Sequence, residues 1–247
     1  MSVYTYPSPY VLYLILMKTK RCIHKIKNDC NQKTTFILLC GKKSNKKGYR
    51  NIPLTNISPE VTIIDCQINT ILDHYNDGEI ILISGFEHDK LVSHIHKKQY
   101  KNVRIAENKN YDNSNIVDAW KFALNIAIAE DTYIIHGDRI FSPSSIMSPK
   151  VKSSHAITHD YNKNNYDLGI LSKENRFINM SYGLPNVWSE IFFISKNDFN
   201  IARDALNDYK KRKIYTIESF INELSQKTKI SVVNKGPSDI QTLKDIK

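Results

Sequence analysis

Three short, continuously apolar runs, each stopped at a glycine, set the tightest limit on how this chain can fold. Thr35-Phe-Ile-Leu-Leu-Cys40 ends at Gly41, Glu79-Ile-Ile-Leu-Ile-Ser84 ends at Gly85, and Thr132 to His136 ends at Gly137-Asp138. Runs of that length without polar alternation read as strands covered on both faces. Between them, apolar residues recur at helical spacing: Ile63, Ile64, Ile68, Ile71 and Leu72, then Ile116, Ala119, Trp120, Ala123, Leu124 and Ala127. The second set predicts a helix over 115–129, opened by Asn115 with Asp118 three residues later. Val103 to Ala106 adds a short strand. Strands alternating with helices predict an α/β fold: a Rossmann-like mixed, mainly parallel sheet flanked by helices. In such sheets a ligand sits beyond the carboxyl ends of the strands, where Gly41, Gly85 and Asp138 fall.

The second half reads differently. Leu168 to Ser172 and Phe177 to Ser181 form a predicted hairpin about Lys173 to Arg176, and Glu190 to Ser195 is a further strand. Helices are expected over 198–212 and over 217–226, the latter capped by Thr216, before a last strand over 230–234. Residues 1–33, Tyr-rich and apolar and then basic, break with this pattern. They read as an N-terminal extension to a domain spanning 34–247, an arm that leaves room for an assembly partner.

Composition removes several function classes. Tyr10 to Met17, the longest apolar run, falls far short of the roughly 20 residues that span a bilayer. The 4 cysteines lack paired spacing, which predicts reduced thiols in a cytoplasmic protein rather than a disulfide or zinc scaffold. The balance of 35 Lys+Arg against 25 Asp+Glu gives +10, which invites a nucleic-acid reading. The lysines are scattered, however, and cluster only at Lys18 to Lys27 and Lys210 to Lys213. That pattern predicts a solvated basic face or attraction to phosphorylated ligands, with no specific nucleic acid.

The loop after the first strand, Gly41-Lys-Lys-Ser44-Asn-Lys-Lys-Gly48-Tyr-Arg50-Asn-Ile-Pro53-Leu54, suits a phosphate by its glycine and its cations. It is not a Walker loop. Further on come Tyr111-Asp-Asn-Ser-Asn115 at a helix start, Tyr133-Ile-Ile-His-Gly-Asp138, and finally Ser238-Asp239-Ile-Gln-Thr242-Leu-Lys-Asp245. Taken in this order, from Thr35 to Lys247, the features resemble the nucleotidyltransferase family with the GT-A-like fold. Its members join an NTP to a phosphomonoester such as a sugar phosphate or phosphocholine, with release of pyrophosphate.

The resemblance implies Mg²⁺ as cofactor, and an NTP and a small phosphorylated substrate as partners. It places Gly41, Lys42, Lys43 and Ser44 on the triphosphate, with Gly85, Ser114 and Asn115 lining the nucleotide. Asp138 and Asp239 become the metal carboxylates, a count that suits Mg²⁺ completed by phosphate oxygens and water. Each residue has a plainer role open to it: a turn for Asp138, a helix cap for Asp239, Ser114 and Asn115. His136, on a buried strand, reads as a core histidine. The loop departs from the family in lacking a second glycine, an arginine near Asn45 and a lysine beside Pro53. Lys46, Lys47 or Arg50 would then supply the catalytic cation. The same departure fits a non-catalytic binding or structural module of this fold. A GT-A glycosyltransferase is disfavoured by the absence of Asp-x-Asp.

Overall fold

A computed structural model describes residues 34–42, 51–75, 77–128, 130–146, 152–159, 167–184, 186–236 and 239–242. The extension over 1–33 and the loop cations Lys43, Ser44's neighbour, Lys46, Lys47 and Arg50 lie outside them, as do Ser44 itself and Asp245. In chain order the strands are β1 (Thr34–Leu39), β2 (Asn56–Ser58), β3 (Val61–Thr62), β4 (Glu79–Ser84), β5 (Val103–Glu107), β6 (Asp131–His136) and β7 (Arg139–Phe141). They continue as β8 (His155–His159), β9 (Leu168–Lys173), β10 (Arg176–Tyr182), β11 (Asn186–Ile194), β12 (Ser231–Lys235) and β13 (Ile240–Thr242). The helices are α1 (Ile63–Leu72), α2 (His88–Lys98), α3 (Ile116–Ile126), α4 (Pro143–Ile146), α5 (Lys196–Asn207) and α6 (Ile217–Lys227).

Nine strands form one mixed sheet in the order β5-β4-β1-β6-β11-β8-β12-β10-β9. β5, β4, β1 and β6 run parallel, as the sequence predicts, and β11 joins β6 antiparallel. β9 also pairs with β11, so β11, β8, β12, β10 and β9 close into a ring. Strand β1 shows why its sequence is apolar throughout. Successive side chains point to opposite faces, and both faces are covered. Ile37 and Leu39 enter one core with Trp120 and Phe220, while Phe36, Leu38 and Cys40 enter a second with Ile64 and Ile68. Each fully buried aliphatic or phenyl side chain of this kind contributes about 1.5–3 kcal/mol.

Local signals hold where they were strong. Asn115 and Asp118 form a reciprocal capping box at α3, at 2.9 and 3.0 Å, and Thr216 accepts from the Ser219 amide at α6. Trp120 is fully buried against Trp188, Phe192 and Phe220. The β9–β10 hairpin turns at Glu174 and Asn175, both at positive φ (52° and 59°), the conformation that a two-residue turn matching strand twist requires. Besides elements of two to four residues, one helix and one strand were not anticipated. α2 buries only Leu91 and Ile95 and starts from Glu87 in the left-handed region, so neither apolar periodicity nor a polar cap announces it. β8 is five residues bracketed by histidines.

One of those histidines makes stability depend on pH. His155 is 1% exposed, with its ring stacked on Phe193. Burial pushes its imidazole down to about 4; the Ser153 carbonyl opposes the shift and the Lys235 ammonium adds to it. An unfolded histidine titrates near 6.5, so the unfolded chain binds more protons between those two values. This contribution to stability is complete above pH ~6.5 and is lost as pH falls towards ~4. Urea unfolding at pH 7 and pH 5 should differ by about 2 kcal/mol more in the wild type than in His155→Leu. Equal pH dependence in the two proteins would show that His155 is not the buried titrating group.

Candidate active site

The carboxyl ends of β1, β4 and β6 meet with almost no space between their backbones. The Gly137 amide donates to the Leu39 carbonyl at 3.0 Å, extending the β6–β1 pairing one residue beyond the strand. A Cβ at Gly137 would lie 2.7 Å from that carbonyl oxygen and 2.8 Å from Pro53 Cγ. Glycine is therefore fixed here by the close approach of two backbones. A Cβ on Gly85 would sit 2.6 Å from Tyr111 Cβ, and one on Gly41 3.1 Å from the Ser84 carbonyl. Both glycines, expected on the nucleotide, thus have their missing side-chain volume taken by protein and form the floor of the strand ends. Lys42 follows Gly41 and is exposed.

Beyond Gly137, four charged or ionisable side chains converge. His136 Nδ1 lies 2.8 Å from Glu190 Oε2, and the same oxygen accepts from Arg139 Nε at 3.0 Å and from a second nitrogen of that guanidinium. Asp138 Oδ1 is 3.5 Å from Arg139 Nε. Ligand atoms of His136, Asp138 and Glu190 all fall within 4.8 Å of one another. Glu190 reaches this group because β11 bulges between Trp188 and Phe192, with Glu190 at φ 61°. A bulge re-aims one side chain of a strand, and a non-glycine residue at positive φ carries local strain. Burial alone would raise the Glu190 carboxyl, but His136 and then Arg139 hold it well below the usual carboxylate range. His136 is accordingly not a satisfied core histidine: its ring packs edge-on against Trp188 at 5.8 Å and its Nδ1 belongs to Glu190.

The turn carrying Asp138 is held from behind by a residue the sequence did not single out. Gln67 of α1 donates from its amide nitrogen to the His136 carbonyl at 2.9 Å and to the Arg139 carbonyl at 2.7 Å. Those carbonyls flank Gly137-Asp138 on both sides. Gln67 is 1% exposed, and a polar residue at helical spacing from Ile63, Ile64 and Ile71 was the available signal.

Asp239 is placed elsewhere. It stands opposite Ser142, where the β13–β7 ribbon runs on past Ile240 and Phe141. Ser142 is four residues from Asp138, roughly 13 Å of extended chain. Its Oδ1 accepts from the Ser142 and Ser144 hydroxyls at 2.8 Å each, and its Oδ2 from the Gly236 amide at 3.2 Å. Burial works to raise this carboxyl, and these hydrogen bonds with Lys235 bring it below its ordinary value. The structure groups Asp138 with His136, Arg139 and Glu190, while the Asp239 carboxylate fastens the start of α4 through the two serine hydroxyls. Ser114 bonds to Tyr111 and Asn108, and Asn115 caps α3.

The donor set bears on which ion this group would hold. Mg²⁺ takes oxygen ligands, commonly one or two carboxylates completed by substrate phosphates. Asp138, 37% exposed in its side chain, meets that need. Glu190 Oε2 is committed to His136 and Arg139, so the residues fit a divalent ion with Asp138 as its principal carboxylate and phosphate oxygens completing the shell.

No protein-family model and no curated protein sequence matches the chain. Solved structures do. A CTP:phosphocholine cytidylyltransferase from Streptococcus pneumoniae superposes with a TM-score of 0.71 at 12% identity, covering 86% of this chain and 96% of that one. A nucleoside-diphosphate-sugar pyrophosphorylase from Vibrio cholerae gives 0.68 at 13% identity over 84% and 94%. The inositol-1-phosphate CTP transferase from T. maritima gives 0.64 at 12% identity over 86% and 89%. The chain has the nucleotidyltransferase fold of the GT-A-like type.

Gln67→Leu removes both donors to the turn while keeping a helix-forming side chain of similar bulk. Two partly buried carbonyls would each lose a partner, destabilising the protein by about 1–3 kcal/mol. Chemical denaturation should read that loss. Gly137→Ala should cost at least as much, because the obstructing atom at 2.7 Å is backbone. A Gly137→Ala protein as stable as wild type would contradict the packing described here.

Proposed function

We propose that this chain is a nucleotidyltransferase that joins an NTP to a small phosphomonoester, of sugar-phosphate or phosphocholine type, and releases pyrophosphate. The observation that carries the reading is Asp138, a half-exposed carboxylate just past a parallel strand, at the sheet edge where this class of fold gathers ligands. Two of the structural neighbours are a CTP:phosphocholine cytidylyltransferase and an inositol-1-phosphate CTP transferase, which supports that reaction class.

An oxygen of the acceptor phosphate attacks the α-phosphorus of the NTP. The bond from that phosphorus to its bridging oxygen breaks, and pyrophosphate leaves with the electron pair. The acceptor is already ionised at neutral pH, so catalysis consists of positioning and charge neutralisation. Mg²⁺ bound at Asp138 would offset phosphate charge. Lys42 and the cations of the loop after it, Lys43, Lys46, Lys47 and Arg50, would cover the triphosphate. Gln67 keeps the Asp138 turn in place, and Arg139 keeps Glu190 neutralised so that it does not repel the incoming phosphates.

A specific feature favours a second reading, a binding module that does not turn over. The 3₁₀ turn Ile52–Leu54 carries Pro53 buried among the strand ends and no cation in its last turn. Losing one preorganised cation from such a site costs on the order of 3 kcal/mol, about a hundredfold in rate.

Pyrophosphate release with each NTP against a pool of sugar phosphates and phosphocholine tests both. At least one combination should turn over, and Asp138→Asn should lower its rate at least a hundredfold. The same variant should lose the Mg²⁺-dependent part of any NTP-induced rise in Tm. An Asp138→Asn protein with wild-type turnover refutes the assignment, and Mg²⁺-dependent NTP binding without turnover across the pool selects the second reading.

A further inference from the structure

We infer that the ion held at Asp138 is ligated by nitrogen as well as oxygen. His136 Nε2 is its second protein ligand, and the site selects a divalent transition ion over Mg²⁺. The inference rests on the reading that Asp138 carries the ion, and deepens it.

Two atoms point to this. His136 Nε2 and Asp138 Oδ1 are both buried and both lack a hydrogen-bond partner among the described residues, Asp138 Oδ1 having only the Arg139 guanidinium at 3.5 Å. A buried polar atom without a partner calls for an explanation, an absent ion among them. Here the two atoms belong to residues two apart in the chain, and each residue offers a ligand atom to one group that spans 4.8 Å. Ligands that share an ion at 2.0–2.2 Å are roughly 3 to 3.5 Å apart, so the half-exposed Asp138 side chain would draw towards the ring as the ion binds.

The surroundings of His136 match those of a ligating histidine. The neutral tautomer that donates from Nδ1 to Glu190 at 2.8 Å leaves the lone pair on Nε2. A carboxylate behind the imidazole fixes the tautomer, orients the ring and raises its basicity, the usual support for a metal-bound histidine. Trp188 packs against the ring and limits its rotation. Arg139 closes the arrangement: its guanidinium engages Glu190 through two nitrogens, so Glu190 serves as the orienting group with its charge already balanced. One imidazole nitrogen with one carboxylate is a poor donor set for Mg²⁺ and a good one for Co²⁺, Zn²⁺ or Mn²⁺.

The test is a titration of the full chain, free of any affinity tag, with Co²⁺ alone and no nucleotide. One equivalent should bind and give a visible d–d absorption band. His136→Gln and Asp138→Asn should each weaken that binding at least tenfold, and Glu190→Gln roughly tenfold. Circular dichroism confirms folding, and the half-exposed Asp138 supplies a variant independent of the Glu190 pair. A hundredfold excess of Mg²⁺ should not displace the band. Wild-type Co²⁺ binding by His136→Gln, or displacement by Mg²⁺, overturns the inference. Failure of the transfer reading is separate: the Co²⁺ band would stand while no NTP and acceptor pair releases pyrophosphate. Conversely, Mg²⁺-supported turnover unchanged in His136→Gln would leave the transfer reading and remove the nitrogen ligand.

Discussion

The hydrogen bond from the Gly137 amide to the Leu39 carbonyl organises the edge of this molecule. It carries the β6–β1 pairing one residue past the end of the strand, so the chain leaves the sheet at Asp138 and not before. The bond is possible because position 137 has no side chain to hold the two backbones apart. Gln67 then takes the carbonyls on either side, and the turn has little freedom left. A carboxylate presented this way sits on the sheet's own geometry, and a site mounted on regular structure is better defined than one carried on a loop.

The charge distribution follows the same logic. Glu190 is brought to the turn by a bulge with a strained φ, and is held there by the Arg139 guanidinium and the His136 ring. A second buried carboxylate, Asp65, lies on the other side of the parallel sheet at the start of α1. It accepts from Thr62, from Tyr100 at 2.7 Å, and pairs with His94 at 2.9 Å. Burial works to raise Asp65 and these partners together bring it below the ordinary carboxylate range. The two networks differ in their remaining capacity. Asp65 joins α1 to α2 and has its bonds filled, whereas the group around His136 retains two buried atoms without a hydrogen-bond partner among the described residues. Only the second has unfilled chemistry.

How much could be read from sequence depended on whether the signal was local. β1 and β4 were legible because strands covered on both faces have no polar positions to obscure them. α3 was legible because Asn115 and Asp118 are three apart and satisfy each other. α2 was not, since two buried residues in eleven give little periodicity and its first turn follows a left-handed residue. The site divides in the same way. Asp138 was marked by the glycine before it and the strand before that. Glu190 was not, because its direction is set by how β11 pairs with β6 and β8, which no short window contains. His136 misled for a related reason, being on a buried strand but at its last residue, where a side chain can reach outward. Asp239 shows the limit of residue type as a guide: the same carboxylate suits a metal and a pair of serine hydroxyls, and here it has the serines.

The ring formed when β9 returns to β11 has a consequence for how this protein meets other chains. It removes one border of the nine-stranded sheet, which among the described residues leaves β5 as that sheet's terminal strand. That border is short and carries Arg104 and Glu107, both exposed, with Arg104 tied sideways to Glu79 at 2.7 Å. Exposed charges on a short border strand discourage a neighbouring backbone from adding to it. Strand addition at this border of the nine-stranded sheet is therefore disfavoured. A molecule that meets this border meets charged side chains first, which can be selective in a way that a bare row of amides and carbonyls cannot.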